Sequence, residues 1–395
     1  MKLADIMPTD WDSGVFLGRM DYGVGPTPVL VRQGNVESLY QLSATVSGLL
    51  EAFSDNQDIP SGVTLGTSLE TRFGGKSENS GHPSPNSPHL LSPVDLQCIK
   101  AAGVTFTVST LERMIEEQAK GDPSAALALR SRLNEKIGAD IRKVRPGSGE
   151  AKALNSLPIQ EGLWSQYLEV AIGPDAEIFT KGAPLSSVGP GDLIGIRSDS
   201  AWNNPEPEIV IICDSRGCPR GATPGNDVNL RDFEGRSALL LGKAKDNNAS
   251  CSIGPFIRLF DDGFGLNDVR SAEINLEVTG QDSFALTATS DIKLISRDPV
   301  DLIVQALGSF HQYPDGFALF LGTMFVPIKD RDTPGSGFTH RPGDTVSISN
   351  PRLGLLENAV TFCENAPPWT FGINALINNI LVRQQRTFLS HEPVD

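Results

Sequence analysis

Glu206 and Glu208 stand one residue apart in Pro205-Glu206-Pro207-Glu208-Ile209-Val210-Ile211-Ile212-Cys213, and Asp227 and Lys245 follow downstream. The period of two along a strand puts both glutamates on one face. Like charges held that close repel, so an ionised pair beside a third acid requires a cation between them. An all-oxygen ligand set selects Mg2+, Mn2+ or Ca2+ over zinc. Glu206, Glu208 and Asp227 are therefore the candidate metal ligands, with Mg2+ the expected cofactor and Mn2+ its substitute. Lys245 adds an ammonium beside them. Glu-x-Glu alone also suits a solvated strand edge, and it is the residues downstream that favour the metal.

The rest of the chain must position these groups. Its 395 residues can bury a large core and suggest two domains, or one with an appendage. Acids outnumber bases, 48 to 33, for a formal charge of -15 with no long basic cluster, which argues against nucleic acid or an anionic lipid surface as partner. No apolar run is long enough for a membrane helix, and the start at Met1-Lys2-Leu3-Ala4-Asp5 has no hydrophobic signal segment, so a cytoplasmic protein is expected. Cys98, Cys213, Cys218, Cys251 and Cys363 are an odd, scattered set that suits neither a disulfide framework nor a thiolate zinc site. Cys213 reads as a strand residue and Cys218 as a turn residue.

Short strands and turns dominate the first 70 residues, and Gln33-Gly34-Asn35 between Pro28–Arg32 and Val36–Leu39 has a hairpin's composition. Residues 74–93 are rich in Gly, Ser and Pro and read as a linker; His82 and His89 within it read as solvated. A helix is expected from Ser109, capped with Glu112, and a second over 122–138 with a leucine stripe. Strands then prevail to about 363, with a helical segment near Asp298–Leu302 and a last amphipathic stretch over 374–383. The expectation is an α+β, mostly β protein with a small β-rich domain over 1–92 and a catalytic domain over 93–395.

The segment 205–255 resembles the catalytic region of the fumarylacetoacetate hydrolase superfamily. Glu206 and Glu208 match its Glu-x-Glu, Asn226-Asp227-Val228 its Asn-Asp-Val, Arg231 and Asp232 the residues after it, and Lys245 ahead of Gly254-Pro255 its lysine. Gly322-Thr323 and Pro342-Gly343-Asp344 match later markers. The resemblance spans about 93–365 and implies that superfamily's mixed β-sandwich roll and a homodimer or dimer of dimers. A narrower likeness, to the 2-keto-3-deoxy-pentonate dehydratases, rests on Glu177-Ile178-Phe179-Thr180-Lys181, Arg197-Ser198-Asp199-Ser200-Ala201-Trp202, Gly322-Thr323-Met324-Phe325-Val326-Pro327, Leu163–Leu168 and Lys243–Asn248. It implies conversion of 2-keto-3-deoxy-D-xylonate, the same compound as 2-keto-3-deoxy-D-arabinonate, to 2,5-dioxopentanoate in pentose breakdown. Where superfamily hydrolases carry a water-activating His, the chain has Ser109, a poor base at neutral pH.

That resemblance assigns Glu177 and Lys245 as the catalytic pair, acting on carbon 3 and on the hydroxyl of carbon 4, with acid and base unassigned between them. Lys243 competes with Lys245 on what reads as one strand-like face, and the spacing to Pro255 favours Lys245. A partly desolvated lysine beside a cation would have its pKa lowered, and a Glu177 against Ile178 and Phe179 would have it raised. Glu177 could alternatively pair with Lys181. Thr323 is expected to hold the substrate carboxylate, Thr105, Phe106 and Lys181 to line the pocket, and Arg231 to brace the Asp227 loop or reach substrate. His311–Asp315 is a candidate rim. The rival readings are an acylpyruvate or 2,4-diketo acid hydrolase and a non-catalytic sugar-acid-binding protein.

Overall fold

The computed structural model describes residues 1–53, 59–74, 83–84, 87–120, 144–151, 165–325, 329–332 and 337–389. The expected helix over 122–138, much of the 74–93 linker with His82, Leu163-Trp164 and Val326-Pro327 lie outside them.

Two mixed sheets carry the molecule. The larger runs in the order Val63–Ser68, Asn35–Ser38, Pro26–Arg32, Val15–Asp21, Ile257–Leu259, Pro219–Asp227, Pro207–Cys213, Phe317–Phe320, Cys98–Gly103 and Glu177–Gly182. Cys251–Ile253 adds to Pro219–Asp227, and His89–Leu91 to Val15–Asp21. Its neighbours are antiparallel except Phe317–Phe320 beside Cys98–Gly103. The smaller sheet runs Ala285–Asp291, Glu273–Thr279, Thr345–Asn350, Gly354–Phe362 and Leu193–Ile196, the last pair parallel.

The uninterrupted apolar run Ile209–Cys213 follows from burial on both faces. Ile209 and Ile211 join the core shared with Leu276, Val278, Ile348, Leu356 and Val360 of the smaller sheet. Val210 and Ile212 pack on the other side with Leu17, Leu30, Val46, Leu49 and Phe320. A strand covered twice loses the polar alternation of a half-exposed one. Only at its head does it carry charge: Glu208 is its second residue, and the strand Pro207–Cys213 begins one residue after Glu206.

The expected hairpin forms, Pro26–Arg32 against Asn35–Ser38, and Gln33 and Gly34 take φ of 50° and 77°, the paired positive angles a two-residue turn demands. Helix Pro299–Leu307 starts where expected, its Asp298 carboxylate accepting from Val300 N at 2.9 Å. Three local readings change. His89 is buried on the strand His89–Leu91 rather than solvated. Helix Thr107–Gln118 begins before Ser109, because the buried Phe106 side chain anchors its entry in the core, and the Ser109 hydroxyl donates to Phe106 O at 2.8 Å rather than capping. Lys245 closes a short helix, Leu241–Lys245, rather than lying on a strand. The strands of the first 92 residues hydrogen-bond into the same sheet as the carboxylate strand; a domain boundary at 92/93 remains a proposal.

One buried carboxylate ties the two stretches together. Asp95 accepts from Val46 N at 2.6 Å, Ser47 N at 3.0 Å and Leu96 N at 2.8 Å, with the buried Arg19 guanidinium 3.8 Å away. Replacing Asp95 by Ala leaves Arg19 without its facing charge and two helix-start amides without an acceptor, a loss of about 3–5 kcal/mol. The expected result is a melting temperature lowered by several degrees in calorimetry; an unchanged one would deny Asp95 this role.

Candidate active site

Four stretches far apart in sequence meet at the head of the carboxylate strand. Asn226 Oδ1 accepts from Glu206 N at 3.1 Å and Asp227 N donates to Glu206 O at 3.1 Å, so the ends of two neighbouring strands are cross-tied. Glu206, Glu208 and Asp227 are all buried, each with a carboxylate oxygen within 4.8 Å of the others. Gly322 N donates to Glu208 Oε2 at 2.6 Å. Gly322 has φ of +92°, and a Cβ there would fall 2.0 Å from Thr105 Oγ1, so only glycine lets this amide reach the carboxylate.

Cations surround the acids. The Lys245 ammonium binds Glu206 Oε2 and lies 2.9 Å from Asp227 Oδ2. The Lys181 ammonium lies 2.8 Å from Asp227 Oδ1 and donates to Val228 O at 3.1 Å and to Lys245 O. Arg113 donates to Glu206 Oε1 at 2.5 Å and lies 2.8 Å from Glu234 Oε2. Glu112 faces Arg231 at 3.7 Å, whose guanidinium stacks over Trp202 at 4.2 Å.

The electrostatics follow from burial set against these pairs. Burial alone would raise the Asp227 carboxyl, but Lys181 and Lys245 outweigh it and hold it below the ordinary value. Glu208 has no such partner, and burial followed by repulsion from Asp227 and Glu206 pushes it well up. Burial and then Glu234 push Glu177 up to about 7. Burial alone would lower Lys245, yet Asp227, Glu206 and Glu234 hold it above the ordinary lysine value, the reverse of the expected depression.

Among the described residues, Glu206, Glu208 and Asp227 gather three buried carboxylates, of which Glu208 is the one pushed well up by burial and by the other two. The three oxygen donors suit Mg2+ or Mn2+. The residues present thus fit the metal.

Several expected contacts fall elsewhere. Lys181 was a candidate partner for Glu177, but four residues along a strand span about 13 Å, so it reaches Asp227 instead. Its ammonium is buried against Asp227, Val228 O and Lys245 O, and a contact from it to substrate remains a proposal. Lys243 is exposed beside the Phe233 ring, on the side of its helix away from Lys245. Thr105 donates to Leu321 O at 2.7 Å and Phe106 is buried in the core, so both brace the site's floor. Thr323 is buried next to Gly322, its hydroxyl accepting from Phe325 N at 3.1 Å. Arg231 braces through Glu112 and Trp202. His311 is exposed against Tyr313 at 4.5 Å and joins none of these groups. Arg113 and Glu234 were not anticipated, and the available hints were weak: Arg113 adjoins Glu112, and Glu234 lies one helical turn after Arg231. A surface cavity of about 630 Å3, lined by residues such as Arg19, Asn248 and Trp369, does not include the carboxylates.

No family model matches the chain. Solved structures with its fold include the apo form of 2-keto-3-deoxy-D-arabinonate dehydratase (TM-score 0.61, 21% identity, 88% of this chain and 98% of that one) and the psychrophilic Exiguobacterium antarcticum fumarylacetoacetate hydrolase (0.53, 16%, 88% and 99%). The chain therefore has the fold of the fumarylacetoacetate hydrolase superfamily. Within it, the same dehydratase solved with magnesium and 2,5-dioxopentanoate gives a TM-score of 0.59 at 21% identity over 88% of this chain and 98% of that one. In sequence the chain is similar to a probable 2-keto-3-deoxyxylonate dehydratase of Haloferax volcanii, 29% identical over 69% of this chain and 75% of that protein. It is also similar to the 2-dehydro-3-deoxy-D-arabinonate dehydratase of Saccharolobus solfataricus, 33% identical over 46% and 57%.

Glu177 supplies a test of the site's electrostatics. Between its ordinary value of 4.5 and about 7, the folded state keeps a proton that the unfolded chain has released, so its contribution to stability is lost as pH rises through that window. In magnesium-free buffer, Glu177→Gln should raise the melting temperature at pH 8 and leave it nearly unchanged at pH 5. Equal shifts at both pH values would contradict the raised carboxyl.

Proposed function

We propose that the protein dehydrates 2-keto-3-deoxy-D-pentonate to 2,5-dioxopentanoate with the help of Mg2+ or Mn2+. The observation that carries this reading is the buried Glu206, Glu208 and Asp227 set with Lys245 in contact and Glu177 poised near neutrality, in a chain similar to pentonate dehydratases. Held by those three carboxylates, the metal would polarise the keto group and acidify the protons on carbon 3.

The protein's own groups supply the proton transfers. Glu177, raised to about 7, is a usable base at neutral pH and takes the carbon-3 proton. Gly103 lies opposite it in register, and a Cβ at Gly103 would fall 2.0 Å from Glu177 Oε2, so glycine leaves room for the carboxyl. Lys245, held as an ammonium by Asp227 and Glu206, donates a proton to the departing carbon-4 hydroxyl. Water leaves with that proton, giving an enone with a carbon-5 hydroxyl. Transfer of a carbon-5 proton to carbon 3 along the conjugated system then gives the enol between carbons 4 and 5, which takes up a proton at carbon 4 and releases its hydroxyl proton to become the aldehyde. Thr323, buried beside the Gly322 amide that holds Glu208, is the proposed contact for the substrate carboxylate.

Ser109 disfavours the hydrolase reading, since its hydroxyl donates to Phe106 O and it stands where the hydrolases carry their base. No helix among the described residues is long and apolar enough to cross a membrane, and the five cysteines are unbridged, which suits the proposed cytoplasmic location.

Purified protein with Mg2+ and 2-keto-3-deoxy-D-xylonate should form 2,5-dioxopentanoate, followed by coupling to an aldehyde dehydrogenase. Faster turnover of acylpyruvate than of the sugar acid would overturn the reading. Glu177→Gln and Lys245→Met should each lower turnover by about a hundredfold or more, the typical worth of a positioned acid or base. In deuterated solvent Lys245→Met should still exchange the carbon-3 protons and Glu177→Gln should not; the opposite pattern would exchange the two roles.

A further inference from the structure

The helix Ile373–Leu389 packs on the body along one face and leaves an apolar ridge exposed on the other. Its inner face docks on the body: Leu376 is buried, the Asn379 amide donates to Val24 O at 2.9 Å, and Arg383 donates to Pro26 O at 3.0 Å with its guanidinium 3.4 Å from the Tyr40 ring centre. On the other side Ile373, Ile377 and Leu381 follow at i, i+4 and i+8 and are 51, 49 and 51% exposed, with Val382 beside them at 47%. A helix packed on one side normally turns charged residues to water, and one that is apolar all round belongs in an interior. An apolar ridge of this kind, on the order of a few hundred Å2, marks an interaction site on a soluble protein.

We infer that this outer face joins two copies of the chain, with the helices packed antiparallel across a two-fold axis. Charge selects the occupant. The polar residues exposed along the ridge are Asn374, Asn378, Gln384 and Gln385, whose amides both donate and accept and so pair with their own copies. From 365 to 391 the chain carries no Asp or Glu, although it holds 48 acids and a formal charge of -15. Two copies repel over most of their surfaces and not here. A two-fold contact brings the same patch together from both copies, so a patch free of acids suits it in a chain this acidic. A membrane surface fits less well, because Arg383 is turned inward on Tyr40 and leaves no cationic rim along the ridge's described side chains. The superfamily resemblance implies some homo-oligomer; the surface is inferred from this helix alone.

Sedimentation at micromolar concentration tests the contact. The parent protein should run as an even-numbered assembly, and Ile377→Glu, which sets two carboxylates near the axis, should run at half that mass with its circular dichroism unchanged. Ile377→Cys, near the middle of the ridge, should form a disulfide-linked dimer on mild oxidation that the parent with its five native cysteines does not. This cross-link decides the matter should the glutamate variant fail to fold. A monomeric parent, an Ile377→Glu of unaltered mass, absence of the cross-link, or flotation of a monomer with anionic vesicles would each overturn the inference. None of these readouts depends on the dehydratase reading.

Discussion

Three buried carboxylates within 4.8 Å of one another set the terms for everything around them. Such groups repel and lose their hydration, and each unpaired buried charge costs several kcal/mol. The chain answers with three cations and one amide: Lys245 on Glu206 and Asp227, Lys181 on Asp227, Arg113 on Glu206 and the Gly322 N–H on Glu208. These offset part of the repulsion only. Glu208 remains pushed well above its ordinary value by burial and by Asp227 and Glu206. Incomplete neutralisation by the protein is what leaves the site receptive to a metal.

The architecture exists to bring those partners to one point. Glu206 and Glu208 lie at the head of a strand buried on both faces, whose two-sided packing fixes its register. Lys181 and Glu177 share one strand at the edge of the same sheet, Glu177 in register opposite Gly103 and Lys181 at the irregularity where the pairing shifts between Ile99 and Lys100, and from there Lys181 neutralises Asp227. Lys181 also donates to the carbonyl of Lys245, which links that strand to the short helix carrying the second ammonium. A one-residue slip of Glu177–Gly182 would turn both side chains away from the site.

What could be read in the sequence was chemistry concentrated in short spacings. Glu206, Glu208, Asp227 and Lys245 fall within forty residues, and the turns between them keep them adjacent, so side-chain type alone pointed to a hard-metal site. The Gln33-Gly34 turn and the Asp298-Pro299 helix start were legible because those residues dictate their own backbone angles. Contacts made across elements were not. Arg113 meets Glu206 and Glu234 only after a helix, a strand end and a second helix have docked, and no pattern within any of the three announces it. The Leu241–Lys245 helix was mistaken for a strand because a five-residue element is too short to show a period.

Glu177 and Glu234 show how the same unbalanced charge serves chemistry. Glu234 is paired with Arg113, yet its charge still raises Glu177, and Arg113 and Lys245 lower it by less than burial and Glu234 raise it. The outcome is a carboxyl near neutrality beside a lysine held firmly charged. Two titratable groups pushed apart in this way suit the opposite parts in proton transfer proposed for them, one accepting and one donating. The repulsion that makes the metal site costly to fold is therefore also what tunes the proposed acid and base. A protein optimised for stability alone would place apolar side chains at Glu177 and Glu208.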